Sequence, residues 1–276
     1  MTYAQTNVQL FNQLQREGYS KSDRQRIFEA YEFGMRIFSG LILPSGKPFI
    51  DHLVGTASIL ASLRVPIELV AAGLIHAAYL HGDFGGFRTG VTPRNRQQVR
   101  RAVGSETEAY VVAYHRLPWI SKQILALHDG VDELNSMARD VLLMRLANEL
   151  EHHLDFGALY FARSERERKG HQRHIARHSP LLVTMAEKLG HPSLAAEMRA
   201  TFNSLVCHEG ARIPFNESPS MVAYLVVPKS YRLRLRISLL QKPLNHFLKE
   251  GRRVCFKYAR LVEQLLRKRV RSIYAK

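Results

Sequence analysis

Apolar residues recur at helical spacing through most of the first 205 positions of the chain. Residues 23–39 place Ile27, Tyr31, Met35 and Phe38 on one face, which is the spacing of an amphipathic helix. Similar patterns predict further helices at residues 49–63, 67–80, 93–103, 105–115, 118–128, 136–163, 180–189 and 193–205. The body of the protein is therefore predicted to be all-α.

Proline and glycine mark the predicted helix boundaries. Pro66 is suited to the first turn of one helix, and Thr92 followed by Pro93 opens another. The segment RHIARHSP at 173–180 and the Gly190-His191-Pro192 break both indicate helix ends. Alternating or β-branched character appears only from residue 221, in MVAYLVVP and YRLRLRIS.

Positive charge is concentrated at the end of the chain. The net charge is +16, and residues 229–276 hold fifteen Lys or Arg against two acidic residues, a balance of +13. Residues 252–274 combine these charges with apolar positions at helical spacing, so they are predicted to form a basic amphipathic helix. Such a tail can dock on the body or on another copy of the chain, lie on an anionic membrane surface, or bind nucleic acid.

Several protein classes are disfavoured. The longest apolar runs are about 12 residues, against about 20 needed to cross a bilayer. The N-terminus lacks the pattern of a signal peptide, and Cys207 and Cys255 form no CxxC pair. These features predict a cytoplasmic protein, peripheral to the membrane if the tail binds lipid.

Two histidines lie in the most apolar part of the chain. His52 and His76 fall on successive predicted helices within residues 46–81. A buried polar group without a partner costs about 1 to 3 kcal/mol, so such residues need partners. We expect a concave polar cluster, formed by His52, Thr56, His76, Tyr79, Asn148 and His152.

These residues lie in segments that resemble a known superfamily. The string SGKPFIDHLVGTASIL, followed 24 residues after its histidine by that of AAGLIHAAY, is similar to the HD superfamily. It is most similar to the hydrolase domain of the RelA/SpoT stringent-response proteins. RDVLLMRLANELEHH resembles the last metal-binding helix of that family, so the resemblance covers roughly residues 26–165 and implies an HD-like helical bundle.

The metal ligands of that family are only partly retained. In the family, a histidine, an adjacent His-Asp pair and a distant Asp hold the metal, and the corresponding positions here are His52, His76-Ala77 and Asn148. The Glu-Asp pair of the hydrolase falls at Leu80-His81. Hard cations such as Mn²⁺ or Mg²⁺ favour carboxylates, so hydrolysis of guanosine tetraphosphate by the family mechanism is not expected. The chain resembles a divergent branch that lacks the Asp of the HD pair.

The chemistry of the cluster has three interpretations. His81 and His152 could join His52, His76 and Asn148 around Zn, Fe or Mn. Without a metal, His52 and His76 could act as general acid or base, with Tyr79 and Thr56 placing the substrate. Alternatively, the histidines are polar residues satisfied by their neighbours.

The sequence predicts four regions, which are an N-terminal helix or arm at 1–25, an HD-like domain at 26–205, a linker at 206–228 and the basic tail at 229–276. The leading hypothesis is a hydrolase- or lyase-like enzyme acting on a small anionic or phosphorylated metabolite. The alternative is a non-catalytic HD-like binding or scaffold protein that works through its tail. Whether it forms a homo-oligomer is left open.

Overall fold

The computed structural model describes residues 3–43, 45, 47–85, 90–160, 162 and 164–208. Within these ranges the chain is all-α, as predicted, and extended pairing is confined to one β-bridge between Ile42 and Pro48. The helices are α1 (Asn7–Arg16), α2 (Lys21–Phe38), α3 (Phe49–Ser62), α4 (Ile67–Ile75), α5 (Ala78–His81), α6 (Pro93–Val103), α7 (Ser105–Arg116), α8 (Ser121–Asp129), a 3-10 turn (Val131–Glu133), α9 (Ser136–Leu154), α10 (Gly157–Tyr160), α11 (Glu165–Lys188) and α12 (Pro192–Cys207).

Local sequence signals set several helix starts. Thr6 caps α1 and Ser20 caps α2, each in a reciprocal capping box with the residue three positions later. Thr92 caps α6 ahead of Pro93, and Asn135 caps α9. These side-chain oxygens accept backbone N–H groups that the first helical turn leaves unpaired, so each start is fixed by its own sequence.

Helices α3 and α4 form the centre of the bundle. Both are apolar around most of their circumference, and they pack against each other and against α1, α2, α7 and α9. Gly73 permits their close approach, because a Cβ there would lie 2.7 Å from Leu60 Cδ1. The apolar run around His52 and His76 is thus the core of the domain.

Two predicted helices are interrupted in the structure. The helix predicted at 67–80 breaks at His76 and Ala77, where the His76 ring bonds to the Gly73 carbonyl at 2.8 Å. An uninterrupted α-helix would pair that carbonyl with the Ala77 N–H, so the side chain competes with the backbone. The helix predicted at 136–163 ends at Leu154, and Phe156 has a φ of 58°, which a right-handed helix cannot contain.

Helix α11 contradicts the prediction of a helix end at 173–180. It runs from Glu165 to Lys188 with Pro180 inside it. Buried residues lie on both sides of the proline, and the helix packs along α12. This packing holds the two halves in line despite the one hydrogen bond that a proline removes.

The remaining predicted regions differ in how far the structure covers them. The N-terminal region forms α1, which packs against α3. All described helices belong to the first of two compact units, residues 1–225. The strand-like segments and the basic tail, from 209 onward, lie outside the described residues. Among the described residues, no helix is long and apolar enough to cross a membrane.

Candidate functional site

The structure brings four of the predicted site residues together where α3, α4 and α9 meet. The ring centroids of His52 and His76 are 5.5 Å apart, with the rings nearly perpendicular. His152 stacks on His52 at 4.2 Å, and Asn148, one turn earlier on α9, is buried beside His52. His52 and His76 are 1% and 3% exposed, whereas His152 is exposed.

A buried carboxylate adjoins this cluster. Glu151 Oε2 contacts His52 Nδ1, and Glu151 Oε1 accepts a hydrogen bond from Lys47 Nζ. The Glu151 side chain is fully buried and that of Lys47 is 12% exposed. Lys47, Glu151 and His52 therefore form a continuous chain of polar contacts that runs from the partly exposed 47–48 segment into the core.

Gly55 makes room for this carboxylate. A Cβ on Gly55 would lie 2.6 Å from Glu151 Oε1 and 2.7 Å from its Cγ. Gly55 is one turn after His52 on α3, so the missing side chain lets Glu151 pack against the helix backbone and reach the ring. Any larger residue at this position must displace Glu151.

We predict that Gly55→Ala lowers the free energy of unfolding by about 1 to 3 kcal/mol, because overpacking displaces a buried ion pair. Urea denaturation measures this loss. Gly170→Ala is the matched control, since Gly170 is also helical and has no atom within 4 Å of an added Cβ. That control should be neutral or more stable by up to about 1 kcal/mol. Equal stability of the two variants would contradict the tight fit at Gly55.

Burial keeps both core imidazoles neutral. Desolvation, assisted by the nearby Lys47 charge, lowers the pKa of His52 to about 3. Desolvation and the proximity of His52 lower the pKa of His76 to about 3. Burial raises the pKa of Glu151, and the Lys47 ammonium opposes that shift.

The hydrogen bonds also fix the tautomers. With Lys47 favouring the ionised form of Glu151, the Nδ1–H of His52 donates to the carboxylate. The Nδ1–H of His76 donates to the Gly73 carbonyl. In each neutral ring the basic lone pair is consequently on Nε2.

A second cation, Arg145, lies near His76. The Tyr114 ring centroid is 4.9 Å from that of His76, and Arg145 Nη1 donates to the Tyr114 hydroxyl at 2.9 Å, whereas Nη2 pairs with Glu149 at 2.8 Å. Among the described residues, Arg145 Nε is buried without a hydrogen-bond partner. Such atoms are uncommon in folded proteins, so this nitrogen is available to a water or a ligand group.

Three predicted residues make hydrogen bonds or ring contacts with other groups. The Thr56 hydroxyl donates to the His52 backbone carbonyl at 3.0 Å, within its own helix. The Tyr79 hydroxyl donates to Glu108 at 2.8 Å, because α5 begins anew after the break at Ala77. The His81 ring meets the edge of Phe49 at 5.6 Å. The structure therefore places the Tyr79 hydroxyl with Glu108, whereas the membership of Thr56 in the cluster stays a prediction.

The predicted metal ligands are only partly assembled. Among the residues that the structure describes, no group of three or more His, Cys, Asp or Glu side chains is arranged to hold a metal ion. His152 lies flat on His52, with 27° between the ring planes, and His81 is turned to Phe49. Their arrangement does not support the metal site of His52, His76, Asn148, His81 and His152, which stays a prediction.

Sequence reasoning missed the residues that complete the site. It noted the loss of the family carboxylates but did not connect Glu151 with His52, and Lys47, Gly55 and Arg145 were not considered as site residues. A signal was present, because Glu151 is three residues after Asn148 and so shares a helix face with it.

Comparison with known proteins covers part of this site. A family model described as a domain of unknown function (DUF6817) matches residues 42–118. The matched segment contains His52, Gly55 and His76, whereas Asn148, Glu151 and His152 lie beyond it. A search among curated proteins finds no match to the chain.

Proposed function

We propose that the chain is a divergent HD-superfamily protein whose histidine cluster performs acid–base chemistry on a small anionic metabolite. The observation that carries the proposal is the buried Glu151–His52 pair with a second neutral imidazole, His76, 5.5 Å away. The convergence of His52, His76 and Asn148 supports the resemblance, since these occupy the positions of three family ligands.

The pair has the hydrogen-bond geometry of a general base, and the proposal requires that substrate binding relieve the burial that lowers the pKa of His52 to about 3. A neutral imidazole whose Nδ1–H is held by a carboxylate can take a proton at Nε2, and the carboxylate stabilises the imidazolium that forms. In this proposal His52 removes a proton from the substrate or from water. Lys47 keeps Glu151 ionised, and His76 is the second group able to exchange a proton.

The anionic substrate is proposed because two cations lie near the histidines, although each already has a carboxylate partner. Lys47 pairs with Glu151, and Arg145 Nη2 pairs with Glu149 Oε1 at 2.8 Å. Arg145 Nε is buried without a hydrogen-bond partner among the described residues. Guanidinium groups bind phosphate and carboxylate through planar pairs of N–H donors. The exposed His152 ring covers His52, so a substrate would enter by displacing it.

Burial also favours a second candidate, a non-catalytic binding protein. His52 and His76 are almost inaccessible, and each has its Nδ1 bonded within the protein. Such a pair can support a ligand-binding surface structurally without catalysing a reaction.

A substrate panel separates the two candidates. Untagged full-length protein is incubated with small phosphorylated and carboxylated metabolites, with added Zn²⁺, Fe²⁺ or Mn²⁺ and with a chelator, and products are followed by mass spectrometry. His52→Gln should lower turnover by about 100-fold or more, the usual contribution of a general base. His171→Gln, on the exposed face of α11, is the matched control and should leave turnover unchanged.

The opposite results reject catalysis at this site. Turnover that persists within a few-fold in His52→Gln would remove His52 from the chemistry. Absence of turnover across the panel in every metal condition would favour the binding protein.

A further inference from the structure

A separate cleft of about 510 Å³ lies between α2, α6 and the segment that follows α5. Its volume is in the range of about 300 to 1,000 Å³ typical of ligand pockets. Nine residues line it, and none belongs to the histidine cluster. They are Phe33, Arg36, Ile37, Asp83, Phe84, Gly85, Gln98, Arg101 and Ala102.

The floor of this α2–α6 cleft is apolar and largely buried. Phe33, Ile37 and Phe84 are 3%, 5% and 6% exposed, and the rings of Phe33 and Phe84 are 6.3 Å apart. The two rings are tilted by 50° to each other, and apolar surfaces of this kind bind the hydrocarbon or ring portion of a small molecule.

Hydrogen bonds fix residues 83–85 next to α2. The Asp83 N–H donates to the Ile37 carbonyl at 2.8 Å, which ties the segment to α2. The Gly85 N–H donates to Asp83 Oδ1 at 2.9 Å, so part of this carboxylate is used within its own turn. The described part of the cleft is therefore preformed.

The rim carries two arginines from different helices. Arg36 lies in the last turn of α2 and Arg101 in the last turn of α6, and both are exposed. Neither forms an ion pair with another residue that the structure describes. By contrast, Arg96 and Arg100 on α6 both bind the buried Glu108. Arg101 thus differs from Arg96 and Arg100 in lining the cleft without a direct ion pair among the described residues.

We propose that the α2–α6 cleft binds a small organic phosphate. The phosphate lies between the guanidinium groups of Arg36 and Arg101, and the apolar portion rests on Phe84 and Ile37. Two guanidinium groups favour phosphate over carboxylate, because a phosphate monoester carries nearly two negative charges at neutral pH and three acceptor oxygens. This proposal does not depend on chemistry at the histidine cluster.

Isothermal titration calorimetry of the full-length protein with phenyl phosphate tests the proposal. A millimolar dissociation constant is expected for a ligand of this size. Inorganic phosphate, benzoate and benzyl alcohol should each bind more weakly, because inorganic phosphate lacks the ring, benzoate carries only one negative charge, and benzyl alcohol is neutral. No measurable binding of phenyl phosphate, or equal binding of inorganic phosphate, would overturn the assignment.

Paired variants locate the binding. The double variant Arg36→Gln/Arg101→Gln should weaken phenyl phosphate binding by about tenfold or more. The matched control, Arg24→Gln/Arg94→Gln, removes the same charge from the opposite ends of the same two helices. It should leave the affinity unchanged even if the basic tail attracts phosphates. An equal loss in both double variants would show that binding follows net charge and would reject the cleft.

Discussion

Replacing Glu108 by glutamine is expected to lower the free energy of unfolding by about 2 to 3 kcal/mol. Glu108 is fully buried on α7, and its carboxylate accepts hydrogen bonds from the Tyr79 hydroxyl at 2.8 Å, Arg96 Nε at 2.7 Å and Arg100 Nε at 2.9 Å. These bonds join α5, α6 and α7. Removal of the charge leaves two guanidinium groups facing each other without their anion. Because both arginine side chains are partly exposed, they can turn to water, which limits the loss.

Urea denaturation measures the effect as a shift of the midpoint at constant slope. Glu106→Gln is the matched control, because Glu106 is two residues before Glu108 on α7 and is exposed. Its effect should remain within about 0.5 kcal/mol. If the two variants were equally stable, the cluster around Glu108 would not contribute to joining the three helices.

The Glu108 effect should depend on pH in a defined direction. Burial raises the pKa of Glu108, but the hydrogen bonds from Arg96, Tyr79 and Arg100 outweigh it, and the net pKa lies below the ordinary value of 4.5. A carboxylate with a lowered folded-state pKa stabilises the fold above its unfolded pKa, and this contribution is lost as the pH falls through the folded value. The difference in the free energy of unfolding between wild type and Glu108→Gln should therefore be largest near neutral pH. It should decrease below about pH 4.5.

Helix positions were predictable where local signals and the core pattern agree. The prediction of 93–103 matches α6 at both ends, because Thr92 and Pro93 fix its start and Gly104, with a φ of 87°, fixes its end. The prediction of 49–63 likewise differs from α3 by one residue. These boundaries depend on residues within the helix or next to it, so the sequence contains the necessary information.

Helix continuity was not predictable from local signals. A proline normally ends a helix, and only the packing of α11 along α12 keeps it continuous through Pro180. The break before α5 depends on the rotamer of His76, in which the ring Nδ1–H donates a hydrogen bond to the Gly73 carbonyl. The first outcome is decided by tertiary packing and the second by a side-chain rotamer, and neither produces a recognisable pattern in the sequence.

The candidate site was also predictable only in part from the sequence. Convergence of His52 and His76 was expected because the resemblance places them on neighbouring helices. The Glu151–His52 contact joins residues 99 positions apart in the sequence, and it depends on the absence of a side chain at Gly55. The hydrophobic periodicity of the sequence carries no information about such a contact. Spacing alone also assigned Tyr79 to the wrong cluster, because it does not reveal the break at Ala77.

Lys47→Met is expected to lower the free energy of unfolding by about 3 kcal/mol near neutral pH. The Lys47 ammonium is the cation bonded to the fully buried Glu151 carboxylate, and Met keeps most of the side-chain volume. Without Lys47, the carboxylate retains the His52 Nδ1–H contact but loses its charge compensation. Urea denaturation again gives the magnitude. Lys122→Met, at an exposed position on α8, is the control and should have little effect.

The pH dependence separates lost charge compensation from lost packing. Burial already raises the pKa of Glu151 above its ordinary value of 4.5, and Lys47 opposes this shift. Its removal should raise the pKa of Glu151 further. A carboxyl group with a raised folded-state pKa favours the fold below its unfolded pKa, and that contribution is lost as the pH rises through the folded value. The cost of Lys47→Met should therefore be small near pH 4.5 and grow toward neutrality.

Neutralising the carboxylate should reverse most of that cost. In Lys47→Met/Glu151→Gln, the amide oxygen of Gln can still accept the His52 Nδ1–H, and no buried charge remains. The double variant should therefore be more stable than Lys47→Met at neutral pH, which gives a favourable coupling energy in a double-mutant cycle. A cost that is independent of pH and is not recovered in the double variant would mean that Lys47 stabilises the fold through its hydrocarbon chain. In that case Glu151 would not be held as an anion beside His52, and the base proposed for this site would lose the group that orients it.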